Sequence, residues 1–448
     1  MKTIYTKIAL ITLAGIVLFA GCKPQLDVPA PDKGNVDVTK YVSIGNSITA
    51  GFADAALYYD GQVVAYPNLL AQQFKTIGGG NFNQAYVPVG SVGAGSSLNA
   101  RFILGYKTDC KGINSLSPLP LAASGDLSIF FTSVATQGPF NNIGIPGAKA
   151  ITTVYPGYGN SANGPGKYNP FFTRMLNSTE LTTASMLSKA AEQNPTFFSL
   201  FIGNNDVLGF ASSGGTSDAI TPSAGAPGVG FDASIDAIIT TMTANGAKGV
   251  IGNVPDVTSL PYFTTIPYNG LTLTATQAAQ LSGALGTAFT EGSNPFVIED
   301  KAAPGGFRKI KSTELVLLNT PQDSLKCASW GATKPLKDMY VLTETEIAAI
   351  QSAVSAYNAK LRAVATAKGL AFVDVNQFMA QVKKGIVYNG IAINTSFVSG
   401  GAFSLDGIHL TPRGNAMLAN EFIKSINETY GSTIPQVDAT KYNGVTFP

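Results

Sequence analysis

The apolar run at residues 197–202 (FFSLFI) restricts the fold of this 448-residue chain more than any other stretch. A continuous run of this length is typical of a strand buried on both faces, as in a parallel sheet covered by helices. The run leads into residues 203–206 (GNND), and strand-like runs also end at Gly45 and Gly252. Because helical patterns separate these runs, the sequence predicts one parallel sheet between helices, with polar residues at its strand ends.

Capping residues and prolines mark the helices that are expected to cover this sheet. The long helix has the strongest signals, because Thr343 and Glu346 fit a capping box and Gly369 is placed to end it. The other predicted helices are residues 66–74, residues 179–193 after a cap at Asn177 or Ser178, a helix capped by Asp232, and a final helix that begins at Thr411 and Pro412.

Three stretches interrupt this pattern, and we interpret them as insertions into a single domain of residues 39–448. They lie near residues 78–140, 254–339 and 385–401. The first is rich in glycine and aromatic residues without clear periodicity, and the third is rich in glycine. The second is expected to contain an alanine-rich helix near residues 276–289 and a hairpin near residues 296–318.

Residues 1–21 have the features of a secretion signal, with two lysines and an apolar run too short to span a membrane. Their ending with Cys22, LFAGC, resembles the lipobox of bacterial lipoproteins, which implies cleavage before Cys22 and attachment of lipid to it. We therefore expect a signal peptide, a lipidated tether over residues 22–38, and a lipid anchor to a membrane of the bacterial cell envelope. The outer membrane is the expected membrane, with the domain in the periplasm or on the cell surface. A plain secretory leader followed by a chance cysteine is the alternative.

Charge and cysteine usage bear on the possible partners. The leader carries two of the 29 basic residues, so its removal leaves 27 basic and 27 acidic residues. Such a balance predicts no binding of nucleic acid. One histidine, Cys110 and Cys327 match no metal-ligand spacing, so neither a metal ion nor another cofactor is expected. In an oxidising compartment Cys110 and Cys327 could form a disulfide, and the sequence leaves open whether they do.

His409 is the only histidine in the chain, and Asp406 stands three residues before it. At this spacing the carboxylate can accept a hydrogen bond from ring Nδ1 and turn Nε2 toward a nucleophile. Any mechanism that needs an imidazole must use His409. An isolated pair of this kind is also typical of a histidine at a helix start with a capping aspartate.

Three further residues lie where a parallel sheet places its chemistry. Ser47 follows the first predicted strand, Gly147 closes the segment 142–148 (NIGIPGA), and Asn205 follows the run at residues 197–202. Serine can act as a nucleophile, and glycine N–H and asparagine amide groups can stabilise an oxyanion. A Gly-Pro turn and a loop asparagine are the alternatives for the latter two. The tripeptide GNS recurs with Ser161, but no strand precedes it there.

In this order the segments resemble the four sequence blocks of the SGNH, or GDSL-type, hydrolase family. The matching residues are Ser47 in GNSIT, Gly147, Asn205 in GNND, and Asp406 with His409 in the closing Asp-x-x-His. The resemblance implies a flavodoxin-like α/β/α fold with a five-stranded parallel sheet and large loop insertions. It also implies a triad of Ser47, His409 and Asp406, with an oxyanion hole formed by Ser47, Gly147 and Asn205.

By this resemblance the chain is expected to be a serine esterase or lipase-like acyl hydrolase that cleaves carboxylic esters through an acyl-enzyme intermediate. Aromatic residues in the insertions are compatible with a groove for the acyl chains of a lipid, although core packing also explains them; they are Phe102, Tyr106, Phe130, Phe131, Tyr262 and Phe263. One alternative is a carbohydrate O-acetyl esterase acting on an acylated glycan, which would need a small acyl pocket with polar and aromatic sugar contacts. Another is a glycan- or peptide-binding lipoprotein without turnover. Asn46 stands where the family name has aspartate, which affects fine tuning rather than the chemistry.

Overall fold

The computed structural model describes residues 30–448, and residues 32–448 of this range form one compact unit. The predicted leader and Cys22 lie outside the described residues. The strands are β1 (Tyr41–Gly45), β2 (Phe102–Thr108), β3 (Asn114–Pro120), β4 (Asn142–Gly144), β5 (Phe197–Phe201), β6 (Lys248–Gly252), β7 (Leu271–Leu273), β8 (Gly292–Asn294), β9 (Val297–Glu299), β10 (Phe307–Lys309), β11 (Leu315–Val316), β12 (Val341–Leu342), β13 (Ala371–Val373), β14 (Ile386–Tyr388) and β15 (Ile391–Ile393). The α-helices are α1 (Ser47–Ala50), α2 (Tyr59–Val63), α3 (Tyr66–Phe74), α4 (Ser128–Phe131), α5 (Ala150–Thr153), α6 (Pro170–Thr173), α7 (Met186–Ala191), α8 (Asn205–Ser212), α9 (Phe231–Thr243), α10 (Pro261–Thr264), α11 (Ala275–Leu285), α12 (Gln322–Cys327), α13 (Glu344–Lys368), α14 (Val375–Lys384) and α15 (Pro412–Tyr430).

The central sheet has five parallel strands in the order β13-β6-β5-β1-β4, which confirms the predicted fold class. This is the flavodoxin-like order, in which the chain reverses direction across the sheet between β1 and β5. All five residues of β5 are buried, as the continuous apolar run predicts. At the crossover the carboxyl ends of β1 and β5 are adjacent, and they bring the segments after Gly45 and Phe201 together.

Two groups of helices cover the sheet. In one, α3 packs against α15, which also contacts β6 and β13. In the other, α9 packs against α7 and α13, and these two helices contact β1 and β6 respectively. The apolar stripe of α9 consists of Ile235, Ile238, Ile239 and Met242 at helical spacing. All four residues are buried against the core. The sheet is therefore buried between helices, which explains why its strands lack polar alternation.

Capping signals predicted both ends of α13 and the start of α15 correctly, whereas the predicted cap at Asp232 is wrong, because Gly230 is the N-cap of α9 and Asp232 lies in its first turn. A capping box between Thr343 and Glu346 starts α13, Gly369 ends it in the left-handed conformation, and Thr411 caps α15. The helix predicted over residues 179–193 is wrong in its first half, because only α7 is helical there and Ser185 caps it. The segment before Ser185 consists mainly of turns and contains Thr179, Thr182 and Thr183, β-branched residues that favour helix weakly.

Each predicted insertion contains structure of its own. The first carries the antiparallel hairpin β2–β3, which the sequence did not predict. The second contains the predicted helix as α11 and the predicted hairpin as β9–β10. It also has a hydrophobic cluster separate from the main core, including Phe296, Ile298 and Leu336. The third carries the hairpin β14–β15.

The carboxyl-terminal part of the predicted tether packs against the domain. Val36 and Val38 are buried, and the Asn35 N–H donates to the Tyr430 carbonyl at the end of α15. The tether predicted over residues 22–38 therefore overlaps the folded part, because two of its apolar residues join the main core.

The β2–β3 hairpin is fastened to the second insertion. Cys110, between the two strands, forms a disulfide with Cys327 at the end of α12, and their Cα atoms are 6.4 Å apart. Two ion pairs flank the bridge: Lys107 with Asp323 at 3.2 Å, and Lys326 with Asp109 at 2.8 Å. These contacts link two segments that are more than 200 residues apart and hold them on opposite sides of a groove.

Candidate active site

Ser47 is the first residue of α1, and only Asn46 separates it from the end of β1. Asn46 caps this short helix, with Oδ1 accepting a hydrogen bond from the Ile48 N–H at 3.1 Å. The turn requires glycine at position 45, since a Cβ there would lie 2.0 Å from Thr49 Oγ1. The turn thus fixes the Ser47 side chain at the carboxyl edge of the sheet, where 7% of the residue remains exposed.

The structure brings Ser47, His409 and Asp406 into one hydrogen-bonded chain. His409 Nε2 lies 2.8 Å from Ser47 Oγ, and Nδ1 lies 2.8 Å from Asp406 Oδ2. The Phe52 ring packs on the imidazole, with ring centres 4.8 Å apart. In this arrangement the imidazole can take the hydroxyl proton while the carboxylate stabilises the resulting imidazolium.

The Asp406 carboxylate accepts further hydrogen bonds that fix its position. Oδ1 accepts from the N–H groups of Ile408 and His409, at 2.8 Å each, and from Ser404 Oγ at 3.1 Å. Oδ2 accepts from the Ala55 N–H at 2.8 Å as well as facing Nδ1. Burial acts to raise the pKa of this carboxyl, but the charge of His409 and these hydrogen bonds outweigh it and hold the pKa well below its usual range. Asp406 therefore stays ionised.

A turn at Asp54 and Ala55 supports the loop that carries Asp406, and the sequence reasoning missed it. Both residues adopt the left-handed conformation, with φ of 51° and 65°. Asp54 Oδ1 accepts from the Leu405 N–H at 2.9 Å, and its own N–H donates to Ser404 Oγ at 3.0 Å. Burial raises the pKa of the Asp54 carboxyl. Aspartate tolerates this conformation, but no glycine or proline lies at Asp54 or Ala55, so the local signal for the turn is weak.

Gly147 lies on the loop after β4, in the left-handed conformation with φ of 81°. Any other residue there would be strained, although a Cβ would meet only the Asn169 amide at 3.7 Å. The buried Asn169 amide holds this loop by donating to the Pro146 carbonyl at 2.8 Å. The backbone N–H of Gly147 is thus kept in a fixed conformation at the carboxyl edge of the sheet.

Asn205 and Asp206, at the start of α8, are bonded to the same loop. The Asn205 amide donates to the Ala148 carbonyl at 2.9 Å, and Asp206 Oδ2 accepts from the Ala150 N–H at 2.8 Å. Asp206 is fully buried, and burial, opposed by that bond, raises its pKa to about 6. Asn205 was predicted from the sequence as a site residue, whereas Asp206 was not. The signal was present, since an acidic residue followed a strand predicted to be buried.

The model for GDSL-like lipases and acylhydrolases matches residues 41–422 of the chain. The chain belongs to the GDSL-like lipase/acylhydrolase family. This confirms the resemblance found in the sequence, and the chain is a hydrolase of that type. No curated protein matches it.

Two solved structures similar to this GDSL-like hydrolase are described as lipases. A lipase/acylhydrolase from Enterococcus faecalis is 12% identical, with 89% of this chain and 99% of that chain covered and a TM-score of 0.33. An extracellular lipase from Streptomyces rimosus is also 12% identical, with 88% of this chain and 99% of that chain covered and a TM-score of 0.34.

A small apolar cavity lies beside Ser47 in this GDSL-like hydrolase. Ser47, Asn205 and His409 line it, and the rest of its wall is almost entirely apolar; the wall includes Leu208, Leu260, Phe378, Met379, Val382 and Met417. It offers about 50 Å³ to the centres of water-sized groups.

A much larger groove runs between the β2–β3 hairpin and the second insertion. It offers about 1470 Å³ by the same measure and reaches Asp406 and Ile408. Ile408 lines both the groove and the small cavity. Of the six aromatic residues expected along an acyl groove, Phe102 and Tyr262 line this one, whereas Phe263 is buried in the main core and Phe131 is 86% exposed.

Residues 30–448 contain neither a candidate metal site nor a candidate membrane-spanning helix. Over this range no cluster of three or more histidine, cysteine, aspartate or glutamate side chains could hold a metal ion. Within the same residues, no helix has the length and apolar character needed to cross a membrane.

Proposed function

We propose that the chain is a serine esterase that cleaves carboxylic esters through an acyl-enzyme intermediate on Ser47. The observation that supports this is the hydrogen-bonded chain from Ser47 Oγ through His409 to Asp406, with both bonds at 2.8 Å. The chain's only histidine lies at its centre. A serine, an imidazole and an ionised carboxylate in this geometry form the arrangement that activates a serine hydroxyl.

In the proposed mechanism Ser47 Oγ attacks the ester carbonyl while His409 Nε2 takes its proton. The oxyanion is stabilised by the N–H groups of Ser47 and Gly147 and by the Asn205 amide, each such donor typically contributing about 3 kcal/mol. The intermediate collapses, and the alcohol leaves with the proton from His409. Water, deprotonated by His409, then attacks the acyl-enzyme and releases the acid.

Replacement of the nucleophile tests this proposal. Ser47→Ala is expected to lower kcat/KM for p-nitrophenyl acetate by at least about 100-fold without unfolding the protein. The chain offers a matched control in Ser161→Ala, because Ser161 belongs to a second GNS tripeptide and is exposed on a 3₁₀ turn. The control should retain the parent's rate. Comparable rates for Ser47→Ala and the parent would refute the esterase mechanism and favour a binding protein.

We also propose that the mature protein begins at a lipidated Cys22 and is held by its lipid at the outer membrane of the cell envelope. The motif LFAGC supports this. When cells are fed an alkyne-labelled fatty acid, the full chain should carry the label and sediment with membranes, and Cys22→Ser should lose both properties. Label that persists in Cys22→Ser would contradict the assignment.

A further inference from the structure

The small cavity beside Ser47 and the large groove that reaches Asp406 and Ile408 differ in size and chemistry, and an ester substrate has two halves to place in them. The small cavity contacts Ser47 and His409 directly. The groove reaches the site past Ile408 and Asp406. We propose that the substrate is a short-chain acyl ester of a carbohydrate, with the acyl group in the small cavity and the sugar in the groove. This inference rests on the proposed esterase function.

The small cavity suits an acyl chain and limits its length. Apart from Asn46 and Asn204 beside the site residues Ser47, Asn205 and His409, its wall is apolar. A sugar hydroxyl buried against that apolar part would lose its hydrogen bonds to water without replacement. An apolar protein cavity of about 150 Å³ holds a benzene molecule, with its six carbons. The volume of about 50 Å³ beside Ser47 is a third of that. The cavity therefore suits a short acyl group and is too small for an octanoyl chain.

The walls of this cavity are well fixed. Phe378, Met379 and Val382 project from α14 and are 8%, 6% and 1% exposed. From the final helix, Met417 and Leu418 close the cavity and are also buried. Because these side chains belong to the main core, lengthening the cavity requires a change in packing rather than the movement of a surface loop.

The groove has the chemistry of a site for an uncharged polyol. Ser117, Gln280 and Asn319 line it, and their side chains make no hydrogen bond to any residue among 30–448, so these side chains remain available for ligand hydroxyls. The Tyr262 and Phe102 rings line the same groove and can stack on the apolar faces of sugar rings.

The charges in the groove balance. Its lining includes three lysines and three aspartates, and the two ion pairs beside the disulfide account for four of these six residues. A fifth, Asp406, is bonded to His409. The groove therefore lacks the excess of positive charge expected for a phosphate-bearing alcohol such as a phospholipid headgroup.

The first experiment measures the acyl chain length. With p-nitrophenyl acetate, butyrate, octanoate and decanoate, kcat/KM of the parent should be highest for acetate or butyrate and at least about 10-fold lower for octanoate. Met379→Ala should move the optimum to a longer chain by enlarging the cavity, and Val382→Ala is the milder variant if Met379→Ala does not fold. Met242→Ala is the control, since Met242 is equally buried on α9 but does not line the cavity.

An optimum at octanoate or decanoate in the parent would overturn the inference while leaving the esterase function intact. An unchanged optimum in a folded Met379→Ala and in Val382→Ala would overturn the assignment of the cavity. Hydrolysis that does not depend on Ser47 at any chain length would overturn the proposed function and this inference with it.

The second experiment identifies the alcohol. Acetylated xylo-oligosaccharides should be hydrolysed with higher kcat/KM than vesicles of dibutyryl phosphatidylcholine. Thr272→Trp fills the groove from β7 and should lower the ratio of oligosaccharide to p-nitrophenyl acetate activity at least about 10-fold. Thr276→Trp adds the same ring at an exposed position outside the groove and should leave the ratio unchanged. Preference for the phospholipid, or an equal ratio in the two variants, would overturn the carbohydrate assignment.

Discussion

At the scale of single residues, Asp406 shows how much of the candidate site depends on one carboxylate. It receives hydrogen bonds from three backbone N–H groups, one hydroxyl and the imidazole. An asparagine in its place has only one acceptor oxygen. Its NH₂ group would face the donors that bond to the other carboxylate oxygen of Asp406. We expect Asp406→Asn to lower kcat about 10³- to 10⁴-fold with little change in KM, because the imidazole loses its orientation and its charge partner.

Steady-state kinetics on p-nitrophenyl acetate check this expectation, with Asp438→Asn as the control because Asp438 is an exposed carboxylate in another Asx turn. A loss under 10-fold for Asp406→Asn would mean that His409 is oriented by other groups. In the sequence, the three-residue spacing allowed the contact between Asp406 and His409, and only the family resemblance assigned the pair to a triad. The sequence did not predict the Ala55 and Ser404 donors, because turns that need left-handed non-glycine residues leave no pattern.

At the scale of elements, Asp206 ties the start of α8 to α5. Its Oδ1 has no hydrogen-bond partner among the described residues, and burial raises its pKa to about 6. An unfolded aspartate titrates near 3.9, so the folded state binds the proton more tightly. Protonation of Asp206 stabilises the folded state. This contribution is fully present below about pH 4 and is lost as the pH rises through about 6. Asp206→Asn removes the ionisation, so the variant should gain roughly 2 kcal/mol relative to the parent between pH 4 and 7.

Urea unfolding at several pH values measures the difference in free energy of unfolding between Asp206→Asn and the parent. A difference that stays constant with pH would contradict the shifted titration of Asp206.

Helix ends and buried strands such as β5 were predictable because capping and apolar runs are local signals. The β2–β3 hairpin was not, because its residues are mostly exposed or half-buried and show no clean alternation. Its position depends on contacts with α12, far away in the chain.

At the scale of the whole molecule, one hydrophobic cluster supports the candidate site and a second one supports a wall of the groove. The main core positions Ser47, Asn205 and the last helix, whereas the cluster around Phe296 and Ile298 supports the second insertion. The sequence predicted the insertion and its β9–β10 hairpin but not its separate core, because the residues of that core come from short elements spread over residues 271–341. The two clusters meet at β11 and β12, where Val316 and Val341 join the smaller one and Leu342 joins the larger.

This division predicts that the insertion can be loosened by itself. Arg308 donates to both oxygens of Glu314, at 2.6 and 2.7 Å, and the Glu314 side chain is only 1% exposed. Arg308→Met would leave that carboxylate buried without its partner, at a cost of roughly 3 kcal/mol. We expect faster hydrogen exchange in residues 266–342 and unchanged protection in the central sheet.

Lys441→Met, which removes an exposed ion pair, is the control and should change neither the exchange in residues 266–342 nor the protection of the sheet. Hydrolysis of p-nitrophenyl acetate by Arg308→Met should stay within about threefold of the parent, because the main core holds Ser47 and His409. Equal loss of protection in both clusters would show instead that they unfold as one cooperative unit.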